Sequence, residues 1–447
     1  MGTDAILQRQ IGLRTATALV VGEVIAVGIF LTPAGMAKSL GSPFLLLVVW
    51  VVMGAMALCG ALCYGELAAR FPEAGGAYVY LREAYGSQVA FLYGWMSFLV
   101  MDPGLTAALA VGMASYAAYV FGLSPLGVKA FAVGAIALLA AVNILGVRRG
   151  AWLMRWLTAL KLGSLLIIFL WALVFQLGDS SNFTPFVAQR AGSVPLIEGL
   201  AGAFVAAFFS FGGWWDVSKL TGEVRDPERT LPRALLYGVI VVTIVYVLTS
   251  AVFIYLVPLE RVTSGETFAA QAGEALFGRA GGQVFSGVVI VSVLGSLAGI
   301  IMAAPRVYYA MARDCLFLPA AASIHPRFGT PARAITLQAA LASVLVMLGS
   351  FNDIIAYFVF VTVVFIALTV AALFVLRRRD YDGATGTTYR APLYPVTPAI
   401  FLLLVTLLLV MLAGNNPKQA LLGVAVVALG VPVYYLIFHK TGQYRER

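Results

Sequence analysis

Val20-Val21-Gly22-Glu23-Val24-Ile25-Ala26-Val27-Gly28-Ile29-Phe30-Leu31-Thr32-Pro33 lies inside an apolar run long enough, at roughly 20 residues, to cross a bilayer. The stretch nevertheless carries two glycines, a carboxylate and, three residues after Phe30, a proline. A plain membrane anchor needs none of them. Glycine costs about 1 kcal/mol against alanine in a helix interior, and a glutamate at membrane depth costs about 2.5 kcal/mol or more. The stretch therefore reads as a spanning helix built to be interrupted. Where such a helix breaks, backbone N–H and C=O groups are freed for a ligand, which a membrane tolerates only where protein or a water-filled cavity surrounds them. A binding site at the bilayer midplane is the expected result, as in secondary transporters.

Working outward, the 447 residues are 61% hydrophobic and 11% charged, with a mean hydropathy of +0.95. Soluble domains carry about 25% charged residues, so the chain is read as an integral membrane protein. Apolar runs of spanning length fall at 14–37, 43–68, 88–119, 126–146, 153–177, 196–218, 233–257, 282–311, 334–349, 352–376, 396–412 and 419–438. These give an all-α membrane bundle of twelve helices with both termini on one side, the ninth run being the shortest. Of the 29 Lys and Arg, 21 sort to the side of the termini and six to the other, while Lys161 and Arg306 stay within spans. That asymmetry places both termini in the cytoplasm. It also accounts for the net charge of +9 without a nucleic-acid partner.

The stretches between runs are short, so no soluble catalytic domain is expected, and the short polar start of the chain, with no small-residue cleavage site after the first apolar run, is not expected to be a cleaved signal peptide. Those worth naming are 71–87, 178–195, 219–233, 258–281, 312–333 and 377–395. Tyr78, Tyr80 and Tyr85 of the first read as interface anchors or as part of an interfacial amphipathic helix. Cys59, Cys63 and Cys315 fall in or beside apolar runs and read as free thiols. No metal site and no cofactor are expected.

The sixth run contains a second interruption, Phe209-Ser210-Phe211-Gly212-Gly213-Trp214-Trp215-Asp216. With five spans per unit, a second copy of the unit is inverted. Runs one to five (14–177) and six to ten (196–376) therefore read as inverted repeats, each opening with a glycine-interrupted helix, followed by two additional helices at 396–438. Residues 1–447 form one transmembrane domain in this reading. Close helix packing is the other use of such glycines.

Three groups of residues carry a family resemblance: Gly28-Ile29-Phe30 with Pro33; Phe209 to Trp214 followed by Glu223-Val224-Arg225-Asp226-Pro227-Glu228-Arg229-Thr230-Leu231-Pro232-Arg233; and Arg306 to Pro326 with Ala312-Arg313-Asp314. On these the chain resembles the amino acid, polyamine and organocation superfamily, and more narrowly the L-type amino acid transporters and their bacterial relatives. The resemblance implies a LeuT-like 5+5 fold with helices 1 and 6 broken and a free amino acid as substrate. It implies that the α-carboxylate sits on N–H groups near Val27, Gly28 and Ile29, where the helix dipole is positive. The α-ammonium would meet carbonyls near Ile25 and from Phe209 to Phe211, with Ala26, Ser210 and Gly212 completing the small-residue lining. The resemblance also makes Phe209 the aromatic lid, and the substrate side chain would meet Phe209, Trp214 or Trp215. Relatives usually carry a serine where this chain has Ala26-Val27, and the bulk of Val27 points towards small substrates.

Lys161 matches the position where, in the family, an ammonium replaces a sodium ion; its expected partners are carbonyls near Gly22 and Ile25, and snorkelling is the alternative. Glu23 is not a usual family feature. It reads as one half of a proton-coupling pair with Lys161 or as a static ion-pair partner of Lys161 or Arg306, and Arg306 as an inner-gate cation for Glu23 or Glu223. Asp216 and Lys219, three apart, read as a helix-face pair. Eukaryotic members of the resembled family link a glycoprotein subunit through a cysteine between spans three and four; the segment Phe121-Gly122-Leu123-Ser124-Pro125-Leu126-Gly127 has none, so no disulfide-linked subunit is expected. The expected function is sodium-independent transport of neutral, small L-amino acids across the cell membrane, by exchange or proton symport. A cationic amino acid or polyamine carrier and a transport-incompetent sensor remain open. An enzyme is excluded by the lack of a catalytic set, with only His325 and His439 in the chain.

Overall fold

The computed structural model describes residues 7–26, 28–258, 272–274, 276–348, 351–379, 389–415 and 417–438, with the side chains of 31, 279, 351–359, 415 and 419 also left aside. Val27 and most of the loop 258–281 thus lie outside the described residues, as does part of 377–395. Among the described residues the chain is helical, its one β-type contact being an isolated bridge between Ile11 and Val224. Ten helices among the described residues are long and apolar enough to cross a membrane, and they coincide with ten of the twelve apolar runs. The other two runs differ for separate reasons. Run 14–37 is divided into two short helices, α1 (Leu13–Val24) and α2 (Gly28–Leu40). Run 334–349 forms a single helix, Ala332–Leu348, of 17 residues.

Helix starts follow the local chemistry. In α3 (Pro43–Arg70), Ser42 accepts a hydrogen bond from the Leu45 amide and Pro43 occupies the first turn, where its missing N–H costs nothing. The helix Pro125–Ile144 repeats the device with Ser124 and Pro125. The third span is continuous from Ser87 to Phe121 but widens into a π-helical turn at Ser97–Met101, immediately before Asp102. Insertions of this kind concentrate at functional sites.

The core is built round α1. It packs between the helix Val147–Val174, the helix Pro227–Leu256 and the helix Gly281–Ala303, while α2 packs on the helix Leu196–Phe211. Two glycines make this approach possible. A methyl group at Gly22 would overlap Thr158 and Met154 of the first neighbour, and one at Gly238 would overlap Val20 of α1. In a bilayer, close backbone approach of this kind replaces the hydrophobic drive available in water.

Segment 71–87 departs from the expectation of interface anchors. It contains a helix, Ala77–Tyr85, whose Tyr78 and Tyr80 are fully buried. Tyr78 donates to Asp314 at 3.0 Å, and Tyr80 packs edge-on against Tyr64. On the same helix Arg82 reaches Asp314 at 2.6 Å, with Glu73 and Glu83 beside it. Burial works against the Arg82 charge, but Asp314 and Glu83 outweigh it and hold its pKa above the usual range. Cys59, Cys63 and Cys315 are free, and Cys315 is exposed at the end of a helix instead of being buried.

Candidate functional site

Helix α1 stops at Val24, helix α2 starts at Gly28, and the helix Leu196–Phe211 stops at Gly212. Each stop leaves carbonyl groups that a following turn would normally engage. Deep in an apolar bundle an unmet carbonyl costs about 1–3 kcal/mol, so the partners of these groups define the local design. Lys161 supplies most of them on the α1 side. Its ammonium donates to the Gly22 carbonyl at 2.7 Å and to the Ile25 carbonyl, and Ser296 adds a second donor to Gly22 at 2.7 Å. Tyr246 serves both interruptions: its hydroxyl lies 2.8 Å from the Val24 carbonyl and 2.6 Å from the Ser210 carbonyl, the single proton being shared. The sequence reading placed Lys161 opposite these carbonyls but missed Tyr246 and Ser296. A tyrosine and a serine inside apolar runs give no signal above the many others in the chain.

The two interruptions also touch directly. A methyl at Gly28 would sit 2.7 Å from the Ser210 Cα, so only glycine lets α2 approach the helix Leu196–Phe211 here. Thr32 and Ser210 then meet through their hydroxyls at 2.8 Å. Beyond Phe211 the chain turns at Gly212–Gly213, Gly213 having a φ of 107° that suits only glycine, and enters a 3₁₀ helix at Asp216–Glu223.

Beside these junctions lies a cavity of about 50 Å³. Of the residues expected to bind substrate, Ala26, Gly28, Phe209, Ser210, Gly212 and Trp215 line it, and so does Glu23. Ile25 and Ile29 are fully buried and do not line it; the Ile25 carbonyl is engaged by Lys161. Phe211 packs against Trp50 and Tyr246, at centroid distances of 6.2 and 5.1 Å. Val27 lies outside the described residues. The two tryptophans separate cleanly. Trp215 faces the cavity and stacks on Phe208, whereas Trp214 is a packing residue against Tyr64, Phe401 and Gly60.

Asp102 and Asp216 complete the cavity wall, and neither was expected there. Lys219 lies 2.7 Å from an oxygen of each, and all three are nearly fully buried. Asp102 also accepts from Ser97 and from Tyr308, the latter at 3.2 Å. The expected pairing of Asp216 with Lys219, three apart on one helix, is present, but the pair is interior and tied to Asp102 of the third span. The sequence did hold a signal, since an aspartate inside the third apolar run calls for a partner.

Arg306 does not meet Glu23. It forms a bidentate pair with Glu223, Nε donating to Oε1 at 3.0 Å and Nη2 to Oε2 at 3.1 Å, both side chains being no more than 1% exposed. The Glu223 carbonyl accepts from the amides of Gln10 and Ile11, which straps the start of the chain over this pair. Next to it a wider polar cleft of about 770 Å³ is lined by Arg9, Arg82, Arg313, Glu73, Glu83 and Asp314, among others. No group of acidic, histidine and cysteine side chains suited to a metal ion occurs among the described residues.

Comparison with known proteins adds the following. Residues 11–438 match the family model described as amino acid permease. The chain is 31% identical over 438 residues to the serine/threonine exchanger SteT of Bacillus subtilis, covering 97% of both chains. It is 30% identical to the human large neutral amino acids transporter small subunit 2, covering 97% of this chain and 81% of the relative. The human cystine/glutamate transporter is 29% identical over 96% of this chain and 85% of its own.

Proposed function

This chain belongs to the amino acid permease family, within the amino acid, polyamine and organocation superfamily, and on that premise we propose that it carries small neutral L-amino acids without sodium, by alternating access. It is a multi-pass membrane transporter of amino acids and not an enzyme. The finer reading rests on one observation. The cavity wall is formed by Ala26, Gly28, Phe209, Ser210 and Gly212, at the point where Lys161 and Tyr246 hold the helix ends. The amino terminus of α2 offers N–H groups and a positive dipole to an α-carboxylate, and the carboxyl end of the helix Leu196–Phe211 offers carbonyls to an α-ammonium. A cavity of about 50 Å³ holds on the order of four waters, which suits a side chain the size of serine, threonine or alanine. Serine and threonine are also what the Bacillus subtilis relative is named for.

Sodium independence is supported by the Lys161 ammonium, which occupies the carbonyls of Gly22 and Ile25 where a cation would coordinate in this reading. The remaining parts of the reading are twelve crossings in a LeuT-like arrangement, inverted repeats at 14–177 and 196–376, helices 396–438 outside them, cytoplasmic termini and residence in the cell membrane. The distribution of Lys and Arg supports the orientation. In it, the Arg306–Glu223 pair and the Asp102–Lys219–Asp216 cluster close the cytoplasmic side. No disulfide-linked subunit is part of this reading.

A second reading, carriage of a cationic amino acid, is favoured by the three carboxylates of Glu23, Asp102 and Asp216 on the cavity wall. Uptake of radiolabelled serine, alanine, leucine and arginine into proteoliposomes, with and without internal amino acid and with sodium absent, separates the two. Serine or alanine exchange supports the first reading. Arginine as sole substrate establishes the second, and absence of uptake with every substrate refutes both.

A further inference from the structure

Glu23 stands apart from the other buried carboxylates. Asp102 is held by Lys219, Ser97 and Tyr308, Asp216 by Lys219, Glu223 by Arg306, and Glu66 by Arg377 and the Ala391 amide. Both carboxyl oxygens of Glu23 lack a hydrogen-bond partner among the described residues, although the side chain is 4% exposed and lines the cavity. Two glycines make its berth: a methyl at Gly213 would sit 3.3 Å from Glu23 Cγ, and one at Gly299 would sit 3.3 Å from its Cδ. The carboxyl is thus held against the turn after Phe211 on one side and the helix Gly281–Ala303 on the other.

Charges face Glu23 from three packed elements. The 3₁₀ helix presents Asp216 and Lys219, the third span presents Asp102, and the helix Val147–Val174 presents Lys161. The helix Pro227–Leu256 contributes the Tyr246 hydroxyl and the helix Gly281–Ala303 the Ser296 hydroxyl, both already committed to carbonyls. With every group ionised, three carboxylates meet two ammoniums, leaving one excess negative charge. An uncompensated buried charge costs several kcal/mol. A neutral amino acid is a zwitterion and cannot compensate it. A proton can, and Glu23 is the carboxyl of the three whose two oxygens both lack a hydrogen-bond partner among the described residues; Asp216 Oδ1 lacks one too but has the Lys219 ammonium at 2.7 Å. Lys161 is not given this role, because all three N–H groups of its ammonium have an acceptor, the Gly22 and Ile25 carbonyls and, at 3.4 Å, the Ser296 hydroxyl.

We propose that Glu23 is the proton site of the transport cycle: its carboxylate takes one proton from water on the side to which the cavity opens and returns it to water on the other side. One proton then crosses with each neutral amino acid, so the cycle moves one positive charge. The inference rests on the transport reading above and names its coupling ion.

The test measures steady-state accumulation in proteoliposomes held at zero voltage, a ratio that depends on coupling and not on turnover. With one proton per substrate, an inward gradient of about one pH unit supports about tenfold accumulation of serine or alanine by the wild type. For Glu23→Gln the ratio stays at one with or without the gradient. If that variant does not turn over, calorimetric binding in two buffers of different ionisation enthalpy counts protons without transport. At alkaline pH the wild type takes one up with substrate, and Glu23→Gln takes up none. Wild-type exchange without gradient-driven accumulation overturns the inference and leaves the transport reading standing, whereas absence of exchange refutes the transport reading itself. Accumulation driven by a sodium gradient, or tenfold accumulation by Glu23→Gln, also overturns the assignment.

Discussion

Replacing Arg306 by methionine tests whether the Arg306–Glu223 pair holds one side of the molecule closed. The pair makes two charge-assisted hydrogen bonds at 3.0 and 3.1 Å between side chains no more than 1% exposed. Removing the guanidinium leaves the Glu223 carboxylate buried and unmatched, which costs about 3–5 kcal/mol. The loss falls on the conformation in which the pair is made. At about 1.4 kcal/mol per factor of ten, local opening should become roughly 10² to 4 × 10³ times more populated. Amide hydrogen exchange read by mass spectrometry reports this directly, because Glu223 lies beside the strap formed by Gln10, Ile11 and Arg225. The expected result is faster exchange in peptides covering 8–12 and 216–226, with distant peptides unchanged. Glu223→Gln combined with Arg306→Met should recover most of the loss, since the orphaned charge is then gone; a double-mutant cycle should give a coupling of at least about 2 kcal/mol. Exchange within threefold of wild type in Arg306→Met, or a coupling below about 0.5 kcal/mol, would refute the reasoning.

Tyr246→Phe removes the one hydroxyl that serves both the Val24 and Ser210 carbonyls, Val24 keeping only the Ala26 amide at 2.8 Å. A destabilisation of about 1–3 kcal/mol is expected in detergent unfolding, with substrate affinity weakened. Gly28→Ala should be far more damaging than Gly35→Ala, because a methyl at Gly28 meets Ser210 at 2.7 Å while nothing lies within 4 Å of one at Gly35. Equal thermal stability and uptake in the two variants would contradict the close approach of α2 to the helix Leu196–Phe211. Lys219→Met leaves Asp102 and Asp216 facing each other without their shared ammonium and should cost about 3–5 kcal/mol, which Asp102→Asn added to the same chain should partly restore in thermal melts.

The sequence alone determined a good deal. Apolar run length marked ten of the helices, because a bilayer sets one span length and water cannot satisfy backbone groups inside it. The same logic singled out Gly22–Gly28 and Gly212–Gly213, where costly residue types sit in a medium that tolerates few exceptions. Lys161 was legible for that reason too, as an ammonium within a span that requires oxygen partners. Three things were decided only by the tertiary structure. Trp214 and Trp215 are neighbours in sequence, and only the turn after Gly213 directs one to the cavity and the other into packing. Lys219 sorts by position with the basic residues of the terminal side, yet the 3₁₀ helix carries it inward to Asp102, 117 residues away in the chain. Glu23 carries no sign in the sequence of whether it is paired. Its lack of a hydrogen-bond partner among the described residues follows from where Arg306, Lys161 and Lys219 direct their donors, and hydrogen-bond geometry over a few ångströms is a property of the packed helices that no single apolar run contains.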